Sequence, residues 1–140
     1  MRDHPRKTGT HATRQTQSAN RQAVQITLQG NHNSANQPEI SNRAAAQREV
    51  WHPWTVGNVS DEDYARLMRL PGYHRDLDVV AVAPDGVIAA YVNGWIDPVN
   101  RIGDFGPVGA RLAYRRQGLT RAALLEGLRR MKACGMDRIC

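Results

Sequence analysis

Two adjacent arginines, Arg115 and Arg116, stand just ahead of Gly118, and the helical run LTRAALLEGLRRMKA begins directly after that glycine. A helix start already carries about half a positive charge and several N–H groups without intrahelical partners. Further cations at that point are unfavourable unless something negative sits on the turn. Gly118 permits a tight turn, the turn and the helix start expose backbone N–H groups, and the two arginines add charge at the same point. A diphosphate meets this arrangement better than a single carboxylate does. Other phosphate motifs are excluded: there is no GxxxxGK[ST], and Gly103, Gly106 and Gly109 recur as GxxGxxG rather than GxGxxG.

The charge distribution agrees. The 140-residue chain has a formal net charge of +6. Most of it lies in residues 111–132, where Arg111, Arg115, Arg116, Arg121, Arg129, Arg130 and Lys132 face Glu126 alone. Such a field calls for an anionic partner. Several classes fall away. No window approaches the roughly 18 apolar residues of a membrane span, and no N-terminal apolar stretch suggests a secretory leader. The histidines (His4, His11, His32, His52, His74) and Cys134 and Cys140 show no metal-ligand spacing, so no metal is expected. The expected compartment is the cytoplasm.

Elements must exist to hold that turn. Residues 1–42 read as a disordered, basic, polar tail, with AVQITLQG (23–30) alternating like a strand but too short to order itself. A helix is expected from Ser41, ending before Pro53, and a second from the capping pair Ser60 and Asp63 to Pro71–Gly72. PDG between two apolar runs predicts a hairpin, Val79–Ala83 with Val87–Trp95. RIGDFGPVGA reads as a third strand, its glycines marking a bulge or the close approach of a ligand. The helix after Gly118 carries Leu124, Leu128 and Met131 on one stripe and stops at Gly135, and MDRIC opens another strand. Tyr91 and Trp95 read as core aromatics. The class is a mixed α/β (α+β) layer of helices packed on a sheet.

The segment VGARLAYRRQGLTRAALLEGLRRMKACGM resembles the central motif of the GNAT superfamily of acetyl-CoA-dependent N-acetyltransferases, with Arg115, Gly118 and Thr120 in the defining places of [R/Q]-x-x-G-x-[G/A]. The resemblance covers residues 43–140. It implies a GNAT-like acyltransferase fold and acetyl transfer from acetyl-CoA to a small-molecule or peptide amine. It implies that the amides of Gln117, Gly118, Leu119, Thr120 and Arg121, with Arg115 and Arg116, hold the coenzyme A pyrophosphate. Val108 and Gly109 would pair with the pantetheine arm, and the basic helix face could reach the 3′-phosphate. The family's chemistry also needs a base for the acceptor ammonium. Asp104 on the third strand is the candidate; a solvent-facing strand aspartate is the other reading.

The departures are specific. Thr120 replaces a small residue where backbone approaches phosphate, and Leu112 stands where many relatives have proline. The family's first strand is not evident before residue 43. The sequence stops at Cys140, ahead of the family's last strands, which reads as a partial domain truncated after the central helix. That reading predicts an uncovered third strand and self-association through its edge. The competing functions are a basic nucleic-acid-binding module built on residues 111–132 and a non-catalytic remnant.

Overall fold

Val79 and Val80 are neighbours on one strand and both are buried, so the sheet that holds them must be covered on both faces. The computed structural model, which describes residues 27–30, 37–52 and 58–140, shows this arrangement. Five strands, β1 (Thr27–Gln29), β2 (Asp78–Val82), β3 (Ile88–Asp97), β4 (Ile102–Ala110) and β5 (Arg138–Ile139), lie in sequence order across one sheet. The first four form an antiparallel meander, and β5 joins β4 in parallel. Helices α1 (Gln37–Trp51) and α2 (Asp61–Leu67) cover one face, and α3 (Leu119–Ala133) covers the other. No helix among the described residues is long and apolar enough to cross a membrane.

The two faces bury different sets. Under α1, Ala46 packs with Val80, Ile88 and Tyr91, joined by Val50 and Trp51. Ile40 and Ala44 meet Tyr64 and Met68 of α2. Under α3, Val79, Val92 and Ala123 form one cluster, and Leu77, Met131 and Met136 another. The stripe expected on α3 is corrected here. Ala123, Gly127 and Met131 are its buried residues, while Leu128 is 37% exposed at the rim. Gly127 explains the shift: a Cβ there would lie 2.7 Å from Phe105 Cε1, so its absence seats α3 directly on that ring.

The tail boundary also moves. Leu28 on β1 packs on the cluster that Val79, Val92 and Ala123 form, and β1 pairs with β2, so the fold begins well before residue 43. Neighbouring β2 gives that short strand the partner it could not find alone. Helix α1 starts at Gln37 rather than Ser41, with Pro38 in its first turn, where no N–H is needed. Ser41 is not a cap; its hydroxyl donates to Asp61 of α2 at 2.5 Å. The expectations for residues 1–26 and for Pro53 lie outside the described residues. Ser60 and Asp63 do form a full capping box on α2. The hairpin appears as expected, shifted by about a residue, and closes through Gly86 N–H donating to Ala83 carbonyl at 2.9 Å.

Candidate functional site

The chain between β4 and α3 takes an unusual path. Arg116 has φ 62° and Gly118 φ 76°, two left-handed residues separated by Gln117. For an arginine that region is uncommon and costs of order 1–2 kcal/mol. Alternation of right- and left-handed residues turns successive N–H groups to one side and forms an anion-binding concavity. Gly118 caps α3 with no side-chain hydrogen bond. The first intrahelical N–H is that of Ala122, donating to Gly118 carbonyl at 2.9 Å. The amides of Leu119, Thr120 and Arg121 precede it and open towards the turn.

The cations sort into two groups. Arg129 and Arg130 are tied to Glu126 at 2.7 Å each, and Arg130 also donates to the Asp76 carbonyl at 2.8 Å. Hydrogen bonds from Arg129 and then Arg130 hold the Glu126 carboxyl down at about 2. Arg111 lies 3.4 Å from Glu49 of α1. Those at the turn are different: Arg115, Arg116 and Arg121 form no ion pair among the described residues, and Arg115 only donates through Nε to Ala110 carbonyl at 3.2 Å. Positive charge is therefore left unpaired at the turn. The Arg129 and Arg130 face that could have reached a 3′-phosphate is already occupied by Glu126.

A groove leads from this turn along β4. Its upper part, about 380 Å³, is lined by Val50, Trp51, Val108, Gly109, Arg115 and Thr120, with Ala110 and Arg116 beside them. Its lower part, about 460 Å³, is lined by Gln47, Trp51, Phe105, Gly106, Pro107 and Val108. Trp51 and Val108 belong to both. Gly109 makes the close approach possible, because a Cβ there would overlap Val50 Cγ1. Beyond Gly103, β4 has no strand neighbour on its outer edge among the described residues, since β5 pairs only with Ile102 and Gly103. MDRIC thus forms the strand expected of it, pairs with the start of β4 and leaves the groove side of that edge open.

The lower groove sits at an irregularity. Val92 pairs with Val108 and Gly94 with Phe105, so Gly106 and Pro107 together oppose Asn93. This is a bulge. Trp95 holds it, donating from Nε1 to Gly106 carbonyl at 2.7 Å, and so serves as a brace at the half-buried sheet end rather than a core ring.

Beneath α1 lies a polar cluster that the sequence reading did not anticipate. Arg43 Nη1 donates to Asp78 Oδ1 at 2.5 Å, with both side chains 1% exposed. Asp78 Oδ2 accepts from Tyr64 at 3.1 Å and from the Tyr73 hydroxyl. Burial pushes the Asp78 carboxyl up, against the pull of Arg43 and the two hydroxyls. Burial likewise raises Tyr64 and Tyr91, so neither phenol is a base near neutral pH. Arg43, Gln47 and Val50 recur at i, i+4 and i+7, so the pair anchors the same face of α1 that walls the groove.

Each residue expected in the site has a place. Val108, Gly109, Arg115, Arg116 and Thr120 line one groove, and Gln117, Gly118, Leu119 and Arg121 form the turn above it. Asp104 stands apart: it is exposed, pairs across from Trp95, and its Oδ1 accepts its own neighbour's N–H, that of Phe105, at 2.7 Å. Gln47, Val50 and Trp51 were missed. Their signal was the i, i+4 spacing of Ala46 and Val50 on a helix ending in an aromatic residue.

The antiparallel meander, the parallel β5 and the left-handed turn that opens α3 together give the GNAT acyltransferase fold. Solved structures agree. The chain is similar to the ribosomal-protein-S18-alanine N-acetyltransferase from Escherichia coli (16% identity, 80% of this chain, 63% of that one, TM-score 0.58). It is similar to the aminoglycoside N-acetyltransferase AAC(6')-Iy in complex with CoA (12% identity, 86% and 78% covered, TM-score 0.62). It is also similar to the GNAT family N-acetyltransferase YhbS from Escherichia coli in complex with CoA (21% identity, 81% and 59% covered, TM-score 0.58). The chain thus spans under two thirds of the length of two of these three. No protein-family model and no curated protein matches the sequence.

Proposed function

We propose that this protein is an N-acetyltransferase that takes its acetyl group from acetyl-CoA and delivers it to an amine. The observation that carries the reading is the turn: two left-handed residues, open helix amides and unpaired arginines converge at the end of a strand whose edge is free. That donor set fits a diphosphate, which accepts from several N–H groups and bears the charge that Arg115 and Arg116 lack. When bound, acetyl-CoA supplies a thioester whose carbonyl carbon is open to attack by an amine.

The chain's own residues then have separate tasks. Gln117, Gly118, Leu119, Thr120 and Arg121 present amides to the diphosphate, with Arg115 and Arg116 as counter-charges. Val108 and Gly109 offer strand-edge groups to the pantetheine arm, under Val50 and Trp51. Transfer joins the acceptor nitrogen to the acetyl carbon, breaks the carbon–sulfur bond and leaves coenzyme A thiolate, with one amine proton to be removed. Asp104 receives that proton through water, since it is exposed and precedes Phe105 at the lower groove. The reading includes a cytoplasmic setting, which suits the free thiols Cys134 and Cys140.

The experiment is direct. Incubation with radiolabelled acetyl-CoA and a mixture of amines should yield acetylated product and free coenzyme A thiol in equal amounts. Thiol release without acetylated amine would contradict the reading. A nucleic-acid module would instead bind duplex DNA in a salt-sensitive way and ignore coenzyme A.

A further inference from the structure

From the lining of the lower groove we infer the acceptor class: a monoamine carried on an apolar, aromatic body, rather than a polyamine, an aminoglycoside or a basic peptide. The inference rests on the acetyl-transfer reading and deepens it. Of the six described residues lining that groove, Gln47 has the sole polar side chain; the others are Trp51, Phe105, Gly106, Pro107 and Val108. Trp51 Nε1 is buried, so ring carbon is what Trp51 gives the groove. A flat apolar wall of this kind favours an aromatic partner.

Charge narrows the class further. Each additional ammonium on an acceptor must lose water on entry and needs an acid in exchange. The carboxylates near α1 are committed: Asp78 to Arg43, Glu39 to Arg43, and Glu49 to Arg111. The segment 53–57 (PWTVG) contains no acid, and Asp3 is the one acid in 1–26, 31–36 and 53–57 together. That leaves Asp104, exposed and one residue before the groove-lining Phe105, to serve a single amine. The cations Arg115 and Arg116 line the upper groove and repel a polycation approaching from that side.

The test compares acceptors on the whole chain: acetyl-CoA with 2-phenylethylamine, spermidine and kanamycin, each followed by thiol release and by mass of the product. Coenzyme A affinity is measured by calorimetry alongside. The expected result is a kcat/KM for 2-phenylethylamine at least about tenfold above the other two. A Gln47→Glu variant that keeps coenzyme A affinity should narrow that ratio towards spermidine by placing an acid in the groove. Preference of the wild-type chain for spermidine or kanamycin would overturn the inference and leave acetyl transfer standing. Coenzyme A binding with no amine acetylated would overturn both.

Discussion

The Arg43–Asp78 pair offers a perturbation whose size follows from its burial. Both side chains are 1% exposed, and Asp78 accepts from Arg43, Tyr64 and Tyr73 together. Asp78→Asn keeps the shape and an acceptor oxygen for the tyrosines but removes the negative charge. Arg43 would then be a buried cation with Glu39, 2.7 Å away and 19% exposed, as its one remaining counter-charge among the described residues. Removing one partner of a buried pair costs about 3–5 kcal/mol. That is a fifth or more of the ~5–15 kcal/mol a domain holds. The corresponding fall in melting temperature is about 10–20 °C for a chain of this size. Arg43→Met added to Asp78→Asn removes the stranded charge, so the double variant should be more stable than Asp78→Asn alone. Coenzyme A affinity should fall with the single variant and recover with the double, because Gln47 and Val50 share the anchored face of α1. Urea melts and calorimetry read both. A cost below about 1 kcal/mol for Asp78→Asn, or strictly additive single costs, would refute the reasoning.

Three further outcomes are expected. Gly109→Ala should destabilise by about 1–3 kcal/mol through its overlap with Val50 Cγ1, and Val50→Ala should rescue it; a neutral Gly109→Ala on urea melts would mean α1 does not press on β4. Glu126 has a folded pKa of about 2 against an ordinary 4.5, so its share of stability is full above 4.5 and lost as pH falls towards 2. The pair is near the surface, so that share is at most about 1 kcal/mol; Glu126→Gln should flatten the acid limb of the melting profile, and an unchanged limb would contradict the assignment. Asp104→Asn should slow transfer while leaving coenzyme A affinity as it was; transfer at the wild-type rate across the pH range would remove Asp104 from the mechanism.

Much of the fold could be read because its signals are local. The Ser60–Asp63 capping box, the PDG hairpin and the Gly118 break each depend on a few adjacent residues, and each stands where the sequence places it. The turn ahead of α3 was legible for the same reason. What could not be read depends on contacts distant in sequence. Thr27–Gln29 is strand only because Val80–Val82 offers it a partner, and Arg43 is buried only because Asp78 arrives from 35 residues away. The roles of Gln47 and Trp51 share that origin: nothing local says that the end of α1 will lie over the β4 bulge. Leu128 lies at the rim rather than in the expected stripe because a missing Cβ at Gly127, rather than an apolar side chain, sets how α3 seats on Phe105.

The central claim is that the turn at Gly118 holds a diphosphate. Calorimetric titration of coenzyme A into the wild type, Gly118→Ala and Gly118→Asp tests it most directly. Both variants force a side chain into φ 76°, and only one adds negative charge. One charge placed about 5 Å from the diphosphate in a partly screened site is worth about 3 kcal/mol, or roughly a hundredfold in affinity. The account predicts saturable one-to-one binding by the wild type, modest weakening in Gly118→Ala and loss of at least that factor in Gly118→Asp. A folded wild type that ignores coenzyme A, or a folded Gly118→Asp that binds it as tightly, would contradict the account.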